Sequence, residues 1–202
     1  MQTFHEVVTG FAAQIRSFDV IEIEDIPNID LYMDQVTTFM NKGLSRYKRN
    51  EQDKILTKTM INNYTKAKIF PAPIKKKYSP AHLMLLIMIY HLKSVLSIHD
   101  IGVLFRSALT EPNKEKQARM IRTIYSGFVL LQKANKKYLL DAAEGRPDES
   151  YYGQNQILEF FEQKKRPEFN DDEIKRILLT LALVLRSNAE KQLAEKALDS
   201  YF

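Results

Sequence analysis

Between Ser79-Pro80 and Lys93 the chain carries an unbroken apolar run, Leu83-Met84-Leu85-Leu86-Ile87-Met88-Ile89-Tyr90. Serine followed by proline starts a helix: serine is a good N-cap, and proline suits the first helical position, where a missing N–H costs nothing. The helix predicted over residues 80–94 is therefore apolar all round, and such a helix must be enclosed on most sides. It falls well short of the ~20 apolar residues that span a bilayer, as does the run Leu181–Leu185. This segment is the core, and the rest of the chain has to be arranged around it.

Helical periodicity dominates after residue 30. A helix over about Asp30–Leu44, capped by Asn28 or Asp30, places Met33, Val36, Phe39 or Met40 and Leu44 on one face. A second runs from Thr57, as N-cap, to about Lys66, with Met60, Ile61 and Tyr64 inward. Pro71 and Pro73 force an extended path before Ser79. Ser97-Ile98-His99-Asp100 is a capping box opening a short helix that buries Ile101, Leu104 and Phe105. Beyond Pro112 a long helix from about Asn113 to Ala143 repeats Ile121, Ile124, Phe128, Leu131, Asn135 and Tyr138 at 3-4 spacing. A polar loop at Glu144–Gly153, a helix near Gln154–Lys164, a turn at Arg166-Pro167 and a final helix from Asp171 follow. Strand-like alternation is confined to Val20–Ile26, which makes Glu22, Glu24 and Asp25 an exposed strand edge. The expected class is mostly α, with residues 1–110 as one unit and 111–202 as a second, helical one.

The net charge of +5 is unevenly spread. Residues 1–40 sum to −6, residues 41–80 to +9 and residues 81–202 to +2. A forty-residue block with eleven bases and two acids points to a polyanionic partner. The absence of cysteine excludes disulfides, thiol catalysis and cysteine-based zinc sites, and it suits a reducing cytoplasm. No basic leader precedes an apolar core at the N-terminus, so a cytoplasmic location is expected, without membrane attachment. His82 and His91 lie nine apart, on opposite helix faces, and no His-x-x-x-His spacing exists, so no metal or cofactor is expected. No phosphate-cradling glycine loop or nucleophile elbow is present, and an enzyme is not expected.

Residues 56–105 have the layout of a winged helix-turn-helix: a capped helix with a polar face, a basic loop, then two packing helices. The Thr57 helix would enter the major groove with Lys58, Thr59, Asn62 and Asn63, asparagine being able to bond adenine bidentately. Lys66 and Lys75-Lys76-Lys77, with Tyr78, would hold the phosphate backbone. The alternatives are a solvated loop for the lysines and a core position for Tyr78.

The same residues resemble the DNA-binding domain of the mercury-resistance-regulator (MerR) superfamily. Tyr64, Ile69-Phe70-Pro71, Tyr78-Ser79 and Leu96-Ser97-Ile98-His99-Asp100-Ile101 fill that domain's places in order. Asp30-Leu31-Tyr32-Met33-Asp34-Gln35, Leu56–Tyr64 and Leu92-Lys93 with Leu96-Ser97-Ile98 further resemble a bacterial family catalogued as domain of unknown function 1836, over roughly residues 25–110. The resemblance implies a DNA-binding fold. It departs from the superfamily at Asn62-Asn63, where the pattern has Arg-Tyr, and at Lys68, where a glycine usually ends the recognition helix. The wing lacks its glycine and reads as a simple loop, and Leu44 to Ile55 exceeds the usual 3–4-residue turn.

The expected function is DNA binding in transcriptional regulation. MerR-like proteins pair through helices after the DNA-binding half, so a homodimer is expected, with an unknown effector as a further partner. In the long helix Asn135 takes an a-like position that fixes register in helical pairs, either between protomers or against the final helix. The competing reading is a protein–protein adaptor in which the acidic first forty residues cover the basic block.

Overall fold

The computed structural model describes residues 4–145, 154–162 and 169–201. Most of the loop expected at Glu144–Gly153 and the turn expected at Arg166-Pro167 lie outside them. The described residues are mostly α-helical, with one two-stranded antiparallel ribbon.

Helix α1 (Phe4–Ser17) precedes the point where helical periodicity was expected to begin. Lys136 closes its C-terminal end, its ammonium donating to the carbonyls of Arg16 (2.9 Å) and Phe18 (2.7 Å). A cation there meets the negative end of the helix dipole. The strand expected at Val20–Ile26 is instead a turn. The Asp25 carboxylate accepts from the Glu22 amide at 2.9 Å, and the Tyr125 hydroxyl donates to the Ile21 carbonyl at 2.7 Å. Alternating isoleucines here do not line one sheet face; Ile21 and Ile26 plug the core from the two ends of a turn.

Strand β1 (Leu31–Tyr32) pairs with β2 (Lys77–Tyr78), Leu31 opposite Tyr78 and Tyr32 opposite Lys77. That pairing displaces the start of α2 (Met33–Leu44) from the expected Asn28 or Asp30, and the Gln35 side chain caps it by accepting from the Tyr32 amide at 2.8 Å. Its inward face is Val36, Met40 and Leu44, as the spacing predicts. A 3-10 turn (Ser45–Tyr47) and an irregular stretch to Thr57 lead into α3 (Lys58–Lys66).

Helix α4 (Pro80–Leu92) is enclosed along its length: Leu83, Leu85, Leu86, Met88 and Ile89 are fully buried. Each such side chain contributes roughly 2 kcal/mol of burial free energy. The enclosing elements are α7 (Lys114–Ala143) and α9 (Asp171–Tyr201), with β2 at its N-terminal end. Helices α5 (Ile98–Leu104) and α6 (Arg106–Thr110) bury Ile101, Phe105 and Ala108 below it, and α8 (Gln154–Glu162) covers α7 and α9. A single hydrophobic cluster runs from Ile21 to Leu185, across the boundary expected near residue 110. Gly127 lets α7 and α9 meet closely, since a Cβ there would lie 2.6 Å from the Leu178 methyls. Asn135 faces the same seam, its amide donating to the Leu185 carbonyl at 3.4 Å, so it serves contact with the final helix within this chain.

His91 sits in this core at 2% exposure, between the Tyr47 ring and Phe128, with Nε2 3.3 Å from the Gln132 amide nitrogen. Burial pushes its pKa down to about 3. The unfolded chain, with a histidine near 6.5, then binds more protons than the native state between those values, so stability falls as pH drops through that window. Urea unfolding of the wild type between pH 7 and pH 4 is expected to lose up to about 1.4 kcal/mol per pH unit from this group. A His91→Leu variant should show a visibly flatter profile.

Candidate nucleic-acid interface

Helix α3 begins where Thr57 Oγ1 accepts from the Met60 amide at 3.2 Å. Ile61 and Tyr64 are buried and Met60 packs partly beneath them. At 100° per residue the opposite arc carries Lys58, Thr59, Asn62, Asn63 and Lys66 on one continuous face, and all five are exposed. The structure thus brings together the α3 residues that sequence reasoning selected.

The end of α3 is a Schellman motif. The Ile69 amide donates to the Tyr64 carbonyl (3.1 Å) and the Lys68 amide to the Thr65 carbonyl (3.1 Å). The residue in the left-handed position is Lys68, at φ +58°, where glycine is the usual occupant. Ile69 and Phe70 then bury, and Gly102 on α5 admits Ile69, since a Cβ at 102 would lie 2.9 Å from its Cγ2.

The wing is not the simple loop expected but a two-residue hairpin. Ile74 and Lys77 exchange both backbone hydrogen bonds, at 3.1 and 2.9 Å. The two central residues, Lys75 and Lys76, take φ +49° and +64°. Positive φ at both positions is the type I′ pattern, which strongly prefers Asn-Gly and similar pairs. A left-handed conformation costs each lysine roughly 1 kcal/mol. Lys77 lies behind the tip with Nζ 5.3 Å from the centroid of the exposed Tyr32 ring. Tyr78, expected on the phosphate backbone, is 4% exposed; its ring stacks on Phe70 and meets His82 edge-on. Its backbone pairs β1 and its side chain belongs to the core, so it is withdrawn from the exposed set.

Two acids of the first forty residues pair with the basic block. Asp34 pairs with Lys58, and Asp19 with Arg46 at 3.0 Å. Glu22 goes elsewhere, to Lys133 on α7 at 2.6 Å. Among the described residues no acid lies within ion-pair distance of Lys66, Lys68, Lys75, Lys76 or Lys77. Lys68 and Tyr32 were not selected from sequence. The signal for Lys68 was its own departure from the glycine pattern, and that for Tyr32 exists only through the strand pairing.

A family model described as a domain of unknown function (DUF1836) matches residues 21–128, more than half of the chain. The chain belongs to the DUF1836 family. No curated protein and no solved structure matches it. The DUF1836 match begins at the turn that buries Ile21, takes in α2, α3, the hairpin and α4 to α6, and ends within α7. Every residue of the exposed basic face therefore lies inside the DUF1836 segment. Among the described residues no group of acidic or histidine side chains is placed to hold a metal ion, and no helix is long and apolar enough to cross a membrane.

The strained hairpin yields a prediction separable from any ligand. Replacing the tip with its preferred residues, Lys75→Asn with Lys76→Gly, is expected to raise unfolding free energy by about 1 kcal/mol. Lys68→Gly should act in the same direction at the α3 terminus. Chemical denaturation against the wild type checks both, and a loss of stability would overturn the strain argument.

Proposed function

We propose that this protein binds double-stranded DNA as a transcriptional regulator in the manner of a MerR-like helix-turn-helix, with α3 in the major groove and the lysine hairpin on the flanking phosphates. The observation that carries the reading is the pairing of surfaces: the polar face of α3 lies in the same segment as a hairpin whose tip holds two lysines in conformations that lysine disfavours. Such strain persists only where the surrounding structure imposes it, and it clusters at working surfaces. Asn62 and Asn63 offer amides to base edges, Thr59 a hydroxyl, and Lys58 a cation after exchange from Asp34. Lys66, Lys75, Lys76 and Lys77 neutralise phosphates without reading sequence. The resemblance to the MerR superfamily supports the same assignment. It also supports a cytoplasmic homodimer whose two copies of α3 address half-sites about one helical turn apart.

Fluorescence anisotropy with a mixed-sequence duplex, measured against salt concentration, tests the reading. The wild type is expected to lose affinity with a log–log slope near −0.9 per phosphate contact. The Lys75→Asn/Lys76→Gly variant, although more stable, is expected to bind about tenfold more weakly with a slope shallower by about 1.8. A purely structural role for the hairpin predicts the opposite, since the variant is better folded. Asn62→Ala should leave the slope unchanged and cost about 1–3 kcal/mol on a selected site only. No binding by the wild type at about 50 mM salt overturns the proposal and leaves the adaptor reading.

A further inference from the structure

A second basic surface lies away from α3 and the hairpin. The stretch joining α2 to α3 folds against α9 and encloses a groove of about 400 Å³. Lys48, Arg49, Lys54, Lys93 and Lys191 line it against only two acids, Asp53 and Glu195. Both acids are engaged. Asp53 accepts from the backbone amide of Arg49 at 2.9 Å, and Glu195 is shared between Arg49 (3.9 Å) and Lys191 (3.8 Å). Arg49 is further bound by Asp199 at 2.6 Å.

Lys93 forms part of the wall. Its ammonium donates to the Ile55 carbonyl at 2.7 Å and lies 4.8 Å from the Tyr90 ring centroid. Among the described residues it has no acid within ion-pair distance, and burial pushes its pKa down. The Asp53 carboxylate across the groove opposes that shift without reaching ion-pair distance, so this partly desolvated cation keeps hydrogens free for an anion. Beside it, Ser94 donates its hydroxyl to the side-chain carbonyl of Asn188, which lines the same groove, at 2.7 Å. Lys93 and Asn188 thus line one groove, ringed by Lys48 and Lys54, which carry no ion pair among the described residues.

We propose that this groove binds a small oxyanion ligand, a phosphate ester or a carboxylate, with Lys93 and Asn188 as its principal donors and Lys48 and Lys54 as the electrostatic rim. A ligand here would bridge α9 to the residues immediately preceding α3. Its regulatory consequence rests on the DNA-binding reading; its binding does not.

The first measurement is titration of the full chain by calorimetry and by amide chemical shifts, with inorganic phosphate in one arm and citrate in the other. Saturable binding is expected from at least one probe, with shifts confined to residues 48–55, 93–94 and 188–195. Whichever probe saturates assigns the ligand class. Lys93→Met is expected to weaken it about tenfold. Because Lys93 also holds Ile55, the double variant Lys48→Gln/Lys54→Gln, on side chains with no such bond, is expected to weaken it severalfold with an unchanged fold. Lys42→Gln, which removes one charge on α2 as Lys93→Met does at the groove, should leave binding unaltered. No saturation by either probe, or equal losses in Lys42→Gln, overturns the proposal. Loss of duplex binding alone in the groove variants would reassign these lysines to the DNA backbone and also overturn it. Retained phosphate or citrate binding in a protein that fails to bind duplex separates this site from the DNA reading.

Discussion

Everything in this molecule depends on covering α4. A helix whose circumference is leucine, isoleucine and methionine has no face to give to water, so its neighbours are recruited from far along the chain: β2 at its start, and α7 and α9 along its sides. The enclosure explains why α7 and α9 are long and why Gly127 is needed where they come together. It also fixes α3. Phe70 and Tyr78 stack beside His82 at the N-terminal end of α4, and Lys93 at the other end holds the carbonyl of Ile55, two residues before the α3 cap. The exposed face of α3 is thus held at both ends by the most deeply buried element of the fold.

Local signals with a strong physical basis were legible in the sequence. Thr57, Ser79 and Ser97 all occupy N-cap positions, because a side-chain oxygen placed before an apolar period has few other uses. The buried faces of α2 and α3 follow from spacing alone. What failed was whatever depends on a partner distant in sequence. The alternation at Val20–Ile26 has the period of a strand, but a strand needs a second strand, and here the Tyr125 hydroxyl, from 104 residues away, takes the Ile21 carbonyl instead. Conversely, Leu31-Tyr32 carries no alternation and forms a strand because Lys77-Tyr78 is presented to it. For the candidate site, the α3 face was legible residue by residue, whereas Tyr78 could be read as a phosphate donor or as a core residue, and the packing of Phe70 and His82 decides for the core.

Charge distribution along the chain suggested that the acidic first forty residues mask the basic forty that follow. The folded chain divides those acids differently. Asp25 is used within its own turn, Glu22 on α7, Asp19 on the 3-10 turn, and only Asp34 reaches α3. Sequence neighbours attract strongly in an extended chain, but once the segment around Ile21 and Ile26 is buried its side chains are fixed in direction, and most of its carboxylates point away from the hairpin. The Lys58–Asp34 contact is an exposed pair, of the kind worth little in water, so it restrains one cation without closing the surface.

Backbone conformation sharpens this further. Among the described residues, three non-glycine residues have positive φ, and all three are lysines within the ten residues that separate α3 from β2: Lys68, Lys75 and Lys76. Each sits where helix termini and tight hairpins ordinarily take glycine or asparagine, residues that would make the fold more stable at no loss of packing, because all three side chains are exposed. Stability therefore does not account for their identity. On the proposed DNA-binding reading a cation at each position does, since none of the three is spent on an internal acid among the described residues. The strain is tolerable because Tyr64, Ile69, Phe70 and Tyr78 bury on either side and hold the corners in place. The hydrophobic core that α4 demands is thus also what allows positive charge to be held in conformations that a freer chain would abandon.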